Sequence, residues 1–148
     1  MIQWDWSVFP MQVNNIGRVR IRGYEAEASY RLVDAVSLSA NYAYTNPVDE
    51  LSGEKIYTIP QKEAKGSLTL YLEKNIYLTL EGRSVENYVR PGESKWRYSV
   101  MDAKIAEKYG KGGEVYVAVN NVFERKYEVV RGYPMPSQEI RSGVSFQF

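Results

Sequence analysis

Alternation of apolar and polar residues runs through most of this 148-residue chain and constrains its fold more than any other feature. Successive side chains of a β-strand point to opposite faces, so a period of two predicts strands with two chemically different faces. The pattern is cleanest in EIRSGVSFQF at 139–148, where Ile140, Val144 and Phe146 oppose Glu139 and Arg141. The same pattern predicts seven strands, near 18–32, 36–45, 57–72, 76–86, 96–109, 114–122 and 138–148. IQWDWSVF at the N-terminus is a candidate eighth strand.

Two of these strands change the parity of their apolar positions partway along. Val19 and Ile21 are odd-numbered, whereas the apolar residues after Gly23 are even-numbered, and a similar change occurs near Val100. We expect a β-bulge at each place, because one extra residue shifts every following side chain to the other face. A short helix through DAKIAEKY at 102–109 is the alternative at the second place, since Ala and Lys favour helices.

The connections between the predicted strands alternate in length. Short turns near Asp34, at 73–75 and at 110–113 contain Gly, Asn and Asp, which tolerate positive φ. Long connections at 10–17, 46–56, 87–95 and 124–137 carry most of the prolines and many charges. One end of the sheet therefore has tight turns and the other has loops, which predicts an antiparallel up-and-down meander.

The composition of the two faces favours a membrane barrel over a soluble one. A transmembrane barrel presents its apolar face to lipid and its polar face to the lumen, and it closes because unpaired backbone groups in hydrocarbon are costly. Aromatic residues near strand ends would form a girdle at the headgroups: Tyr30, Tyr42, Tyr44, Tyr71, Trp96, Tyr98 and Tyr109. We therefore predict an all-β, antiparallel transmembrane β-barrel of about eight strands. A soluble barrel with an apolar interior is the alternative.

Composition excludes several functions. The chain has no His and no Cys, which excludes the usual zinc, haem, iron–sulfur and Ser-His-Asp or Cys-His sites. A net charge of +1 gives no basic field for nucleic acid. No apolar run is long enough for a transmembrane helix, and the first residues show no signal-peptide pattern. We expect no enzymatic activity and no cofactor.

The chain resembles TonB-dependent outer-membrane receptors over roughly residues 16–148. The matching stretches include Asn121-Val122-Phe123, Glu124-Arg125-Lys126-Tyr127, Gly132-Tyr133-Pro134 and the final strand to Phe148. RIRGYEAEASYRLVDAVSLSANYAYTN at 20–46 is similar to an earlier strand pair of the family, whereas Ser137-Gln138 replace the usual Gly-Arg before the last strand. Among these receptors, the closing segment looks similar to the cobalamin and siderophore types.

This resemblance implies a barrel of 22 strands around an N-terminal plug that carries the segment bound by TonB. Residues 1–148 would then be the C-terminal part of such a barrel, with the plug absent. The implied function is uptake of an iron–siderophore, cobalamin or similar nutrient across the outer membrane of a Gram-negative bacterium. The implied partners are membrane lipid, the barrel-assembly machinery, the nutrient ligand, and TonB through the missing plug. A stand-alone eight-stranded barrel with an anchoring or adhesive role, and a soluble ligand-binding barrel, remain as alternatives.

Two sets of site residues follow. Val144, Phe146 and Phe148 place an aromatic C-terminus on the apolar face and resemble the signal read by the assembly machinery. Aromatic and Arg residues in or beside the long connections are candidate ligand contacts: Tyr88, Arg90, Trp96, Tyr127, Arg131 and Tyr133.

Charged residues elsewhere have simpler interpretations. Those expected on the lumen face are best explained as a lining of compensating charges: Arg18, Arg20, Arg22, Glu25, Glu27, Arg31, Glu114, Glu139 and Arg141. Asp49, Glu50 and Glu54 could bind calcium through oxygen ligands, but their spacing follows no calcium loop, so we expect a solvated cluster.

Overall fold

The computed structural model describes residues 2–5, 12–15, 18–57, 59–89, 92–94 and 96–147, and all of its regular structure is β. The strands are β1 (Ile2–Asp5), β2 (Gln12–Asn15), β3 (Val19–Val33), β4 (Val36–Asp49), β5 (Pro60–Tyr71), β6 (Ile76–Asn87), β7 (Arg97–Tyr109), β8 (Gly113–Asn120), β9 (Glu128–Val130), β10 (Tyr133–Pro134) and β11 (Glu139–Phe146). All seven predicted strands are therefore confirmed. Over the described residues no helix has the length and apolar character needed to cross a bilayer.

Seven strands form one antiparallel sheet in the order β11-β8-β7-β6-β5-β4-β3. Each strand pairs with its neighbour in the chain, apart from the small β9–β10 hairpin that lies within the last long connection. The meander is confirmed, with tight turns at one end and long loops at the other. Within the described residues β3 and β11 are the two outer strands, and β1 pairs with β2 in a separate hairpin rather than as an eighth strand of this sheet.

Neither predicted bulge is present. The β3–β4 register runs without a shift from Val19↔Asp49 to Arg31↔Ser37, and the β6–β7 register runs unbroken from Ile76↔Glu107 to Glu86↔Arg97. The helix alternative at 102–109 is also wrong, because these residues belong to β7. Gly23 has another role: a Cβ at this position would lie 2.2 Å from the Tyr44 carbonyl oxygen. A glycine allows this close approach of the two backbones.

The unbroken registers place the apolar residues of neighbouring strands in shared rows on one face. One row crosses the sheet through cross-strand pairs: Tyr30, Leu38, Leu68, Leu80, Ala103, Val119 and Ile140. Many large side chains of this face are exposed, including Ile140 at 70% and Phe146 at 72%. Apart from Pro47, the buried apolar residues of the described chain are Ile56, Val85, Tyr98 and Ala106. The sheet therefore has no dry core against which its apolar face could pack.

The apolar stretch of β6 has the length of a tilted transmembrane strand. Along β6 its residues run from Ile76 to Ser84, which is roughly 26 Å at ~3.3 Å per residue. A tilted transmembrane strand needs about 9–11 residues, so this stretch is sufficient. This band of apolar side chains across the sheet is called here the apolar belt. On the loop side it ends at a charged row in which Lys62 opposes Glu86 and Glu86 opposes Arg97.

Aromatic residues border this belt, as a girdle requires, although two predicted members face the other way. Tyr24 and Tyr44 stack on the apolar face with ring centroids 5.3 Å apart, at the level of Lys62. Tyr71 opposes Tyr77 and Tyr98 opposes Val85, which places Tyr71 and Tyr98 on the polar face. Tyr71 alternates with the leucines of β5, as its sequence position predicted, so only its inclusion in the girdle was wrong. Tyr98 was assigned to the wrong face because the expected bulge near Val100 does not exist.

Candidate functional site

The polar face carries a shallow groove of about 410 Å³ lined by charged residues that include Glu27, Lys65, Glu81, Arg83 and Asp102. Ion pairs link part of this lining: the Glu63 carboxylate lies 3.2 Å from both Lys65 Nζ and Arg83 Nε. Nearer the turns, Lys104 Nζ lies 2.6 Å from Glu114 Oε1, and the Tyr77 hydroxyl donates to Glu114 at 2.7 Å. This face is a polar surface with largely compensated charge.

Three arginines expected on the polar face lie on the other one. With no bulge at Gly23, Arg18, Arg20 and Arg22 share the face of Tyr24. Arg18 and Arg20 pair with Glu50 at 2.8 and 3.5 Å. These arginines can share a face with apolar residues because they lie beyond Tyr24 and Tyr44, where the β3–β4 hairpin extends past the apolar belt on the loop side.

The loop end of the sheet contains a mostly apolar cavity of about 550 Å³, called here the loop pocket. Trp96 and Tyr98 line it from the β7 side, and Tyr127, Pro134 and Met135 line it from the last long connection. The rings of Tyr98 and Tyr127 are 4.9 Å apart, which anchors that connection over the polar face. Apolar walls with a few polar groups at the edge are typical of small-molecule sites.

Two of the predicted contact residues, Trp96 and Tyr127, line this pocket, and a third, Arg131, lies beside Trp96. Trp96 Nε1 donates to the Glu128 carbonyl oxygen at 3.2 Å, and the Arg131 guanidinium lies 5.7 Å from the Trp96 ring centre. Arg131 Nη1 also lies 2.8 Å from Glu93 Oε2. Tyr127 lines the same cavity. The structure thus brings Trp96, Tyr127 and Arg131 together from connections that are far apart in the sequence.

The other predicted contact residues lie elsewhere. Tyr133 is on β10 and is 71% exposed, while Arg90 lies outside the described residues. Tyr88 packs against β4, where its hydroxyl donates to the Thr45 carbonyl oxygen at 3.2 Å and the Asn46 side-chain oxygen at 3.3 Å. Burial, with a hydrogen bond to Tyr44 as the next cause, raises the pKa of Tyr88 to about 12.

Asn121, which sequence reasoning noted only as part of a family-like segment, holds the loop pocket in place. It is 4% exposed and has a φ of 52°. Its side-chain amide donates to the Arg125 carbonyl oxygen at 2.8 Å and accepts from the Arg125 N–H at 2.9 Å. Its own N–H donates to Asp102 at 2.6 Å. Asn tolerates positive φ better than most residues, which is the signal that could have identified it.

The acidic loop residues are held by protein groups. Asp49 accepts from the Leu51 N–H at 3.0 Å and from the Ser52 hydroxyl at 3.2 Å, and Glu50 pairs with Arg18 and Arg20. Across the described residues no group of three or more acidic side chains is arranged to hold a metal ion. Asp49 and Glu50 are therefore engaged by protein groups rather than free in solvent.

The C-terminal strand presents Val144 and Phe146 outward, 59% and 72% exposed, whereas Phe148 lies outside the described residues. On the opposite face Tyr116 lies over Gly143, where a Cβ would come within 2.7 Å of the Tyr116 hydroxyl oxygen. A ring covering a glycine in this way favours one register between neighbouring strands. Whether Val144, Phe146 and Phe148 direct assembly stays a prediction.

Comparisons with known proteins agree with this architecture. A family described as "TonB dependent receptor-like, beta-barrel" matches residues 1–122. No curated protein sequence matches the chain significantly. Among solved structures, the copper transporter OprC covers 100% of the chain at 22% identity and a TM-score of 0.80. The ferric-catecholate import receptor Fiu from E. coli K12 covers 99% of the chain at 15% identity and a TM-score of 0.66. The ferripyoverdine receptor of Pseudomonas aeruginosa covers 100% of the chain at 18% identity and a TM-score of 0.65.

These findings define the class in which the chain belongs. An antiparallel meander with an exposed apolar belt, a polar opposite face and long loops at one end is the architecture of outer-membrane barrels. The chain belongs to the TonB-dependent receptor family, by its β-barrel domain. At these identities the solved structures show the fold alone, and the chain spans 26% of OprC and 23% of each of the other two. The family consists of outer-membrane receptors of Gram-negative bacteria that take up small nutrients.

Proposed function

We propose that this chain is the C-terminal part of the barrel of an outer-membrane receptor that takes up a scarce nutrient with energy from TonB. The family match and the exposed apolar belt around a sheet without a core carry this proposal. Among the described residues, the outer strands β3 and β11 each have one edge without a partner strand, and further barrel strands would pair with these edges. A plug, which contacts TonB, would come from a preceding part of the same protein and would lie against the polar groove.

The ligand we propose is a metal chelate of the iron–siderophore kind, with cobalamin as a second candidate. Fiu and the ferripyoverdine receptor are import receptors for iron chelates, and OprC is a copper transporter. A bare copper ion prefers thiolate, thioether or imidazole ligands. This chain has no Cys and no His, and the Met135 thioether is the one soft ligand among the described residues that line the loop pocket, whereas three aromatic rings line it and favour a larger organic ligand.

The proposed contacts are Trp96 and Tyr127, which line the loop pocket, and Arg131, which lies beside Trp96. Trp96 and Tyr127 would stack on the organic part of the ligand, and Arg131, held by Glu93 at 2.8 Å, would pair with its anionic groups. Tyr88, Arg90 and Tyr133 remain further proposed contacts, on the same argument from residue type.

Uptake by cells tests this function. The full-length receptor would be expressed in a strain that lacks its own chelate receptors, and entry of labelled iron chelates and of cobalamin would be measured with and without TonB. We expect TonB-dependent entry of at least one of these ligands. Entry that is the same without TonB, or no entry of any of them, would contradict the proposal.

A pair of variants tests the pocket. Trp96→Ala should weaken binding of the transported ligand by about tenfold or more, as expected for a central aromatic contact. Tyr109→Ala is the matched control, because it removes an exposed ring at the tight-turn end of β7. Equal affinities of the two variants would show that the loop pocket does not bind the ligand.

A further inference from the structure

The loop-side part of β7 has a strand beside it on one side only, in the part of the chain that the structure describes. Pairing between β7 and β8 begins at Ala103, whereas β7 itself already starts at Arg97. On the other side β6 pairs with β7 from Arg97 onward, and the β9–β10 hairpin forms a separate sheet. Residues 97–101 therefore form a strand edge that no described strand covers.

The backbone groups of alternate residues point towards this open side. The Asn87 N–H donates to the Trp96 carbonyl oxygen at 2.9 Å, so the even-numbered residues of β7 bond to β6. The odd-numbered residues point away from β6, and the Met101 carbonyl oxygen indeed accepts a backbone N–H of the segment after β8 at 2.8 Å. The N–H and C=O groups of Arg97 and Ser99 thus face the open side, where no described strand pairs with them.

A groove of about 440 Å³ runs along this edge, between β7 and the segment that follows β8, and is called here the edge groove. Residues 97–101 line it with side chains of both faces, as expected for a groove beside a strand rather than over one face. Phe123, Arg125, Lys126 and Tyr127 form the opposite wall. Tyr127 also lines the loop pocket, so the two cavities share a wall.

The charged side chains at the edge groove are cationic and lack carboxylate partners. Arg97, Arg125 and Lys126 are exposed, and none of them forms an ion pair with another described residue. Glu86 opposes Arg97 but lies 3.4 Å from the ammonium group of Lys62 instead. An open strand edge binds an extended peptide by continuing the hydrogen bonds of the sheet, and unpaired cations beside it favour carboxylates.

We infer that the edge groove binds an extended acidic peptide as an added strand of the sheet. The peptide backbone would bond to Arg97 and Ser99, and its carboxylates would pair with the cations of the two walls. This inference goes beyond the proposed function, because the occupant of the edge groove is not the transported nutrient. The bound strand would hold the segment of Tyr127 and with it one wall of the loop pocket.

Peptides of known sequence test the charge preference. The full-length protein in mild detergent is titrated against a fluorescent hexapeptide in which glutamate and valine alternate, and anisotropy is measured. The control hexapeptide has lysine in place of glutamate. We expect saturable binding of the acidic peptide below about 1 mM and binding weaker by about tenfold or more for the lysine peptide.

Two N-methylated forms of the acidic peptide test strand pairing without changing the protein. One form carries the methyl groups on its odd-numbered residues and the other on its even-numbered residues. Only alternate amides of an added strand face β7. We therefore expect one form to lose about tenfold or more in affinity and the other to lose less than about threefold.

Two substitutions at position 99 test the β7 side. Ser99→Ala and Ser99→Pro both remove the hydroxyl that donates to the Ser84 hydroxyl, but only proline removes the N–H that faces the edge groove. An edge strand tolerates proline at such a position, because this N–H does not bond to β6. We expect Ser99→Pro to bind the acidic peptide about tenfold or more weakly than Ser99→Ala.

Each other outcome overturns the inference. Equal affinities of the two N-methylated forms, or of the two Ser99 variants, would show that the peptide is not bound as a strand. Equal binding of the glutamate and lysine peptides would remove the role of the cations. A wild-type protein without saturable binding would show that another segment of the receptor covers the edge. If Ser99→Pro does not fold, the N-methylated peptides decide the matter with the wild-type protein alone.

Discussion

Replacing Leu80 by arginine places a charge at the middle of the apolar belt and tests which face meets lipid. Leu80 is four residues from Ile76 and four from Ser84, roughly 13 Å along the strand from either edge of the belt. Its row neighbours across β5 and β7 are Leu68 and Ala103, which offer no partner for a charge. An outward Arg at the bilayer midplane costs about 2–4 kcal/mol, which lowers the folding equilibrium constant by roughly 30- to 900-fold.

The control is Glu81→Arg at the next residue of the same strand. Glu81 points to the polar groove and opposes Asp102, so an arginine there gains an acidic neighbour and stays in water. Both variants of the full-length protein would be refolded into phospholipid vesicles over a range of urea, with the folded fraction taken from heat-modifiable gel migration. We expect a large loss for Leu80→Arg and a change below about 1 kcal/mol for Glu81→Arg, as is usual for solvated surface sites. Equal losses, or a larger loss for Glu81→Arg, would refute the face assignment.

Three further changes test local features. Gly23→Ala should lower the free energy of unfolding by about 1–3 kcal/mol, because its Cβ would meet the Tyr44 carbonyl oxygen. Gly82→Ala is the control, because a Cβ there enters open space. Equal urea midpoints of the two variants would contradict this. Asn121→Ala should speed tryptic cleavage after Arg125, since the loop loses its side-chain hydrogen bonds; unchanged cleavage would show that Asn121 does not hold it. The ultraviolet titration curve of Tyr88→Phe, subtracted from that of the wild type, should show a phenol with a pKa of about 12. A midpoint near 10 would show that burial does not raise the pKa of Tyr88. Because that pKa is raised, the stability that Tyr88 contributes holds up to pH ~10 and is lost as pH rises from there to 12.

The sequence was sufficient to predict the strands and their topology. Side chains that meet lipid and side chains that meet water differ strongly, so the period of two was visible along most strands. The alternation of short turns and long connections was enough to indicate the meander. The outward placement of Val144 and Phe146 followed directly from the same parity.

The sequence misled where a strand extends past the membrane. Arg20 and Arg22 share a face with Tyr24, because beyond the belt the outward face is solvated and no longer needs to be apolar. The change of parity at Gly23 therefore records a change of surroundings rather than a bulge. Near Val100 the same inference failed because Tyr98 is buried on the polar face by the ring of Tyr127. One strand read alone contains no information about such a contact.

The loop pocket could be predicted only in part. Residue type alone selected Trp96, Tyr127 and Arg131, and the structure places them together. Residue type could not show that Tyr88 packs against β4, because that contact depends on the path of the connection after β4. Asp102 and Asn121 were not selected as a pair, since their hydrogen bond joins the middle of β7 to the residue after β8, 19 residues away in the sequence.

Nitroxide scanning of β6 tests the central claim most directly. The chain has no Cys, so single cysteines can be placed from position 77 to 84 and labelled without background from this part of the protein. Collision rates with oxygen, which concentrates in lipid, and with a water-soluble nickel complex would be measured in vesicles. We expect oxygen access to peak at 78, 80 and 82 and nickel access to peak at 77, 79, 81 and 83. Nickel access that peaks at the Leu positions, or no alternation, would contradict an apolar face that meets lipid.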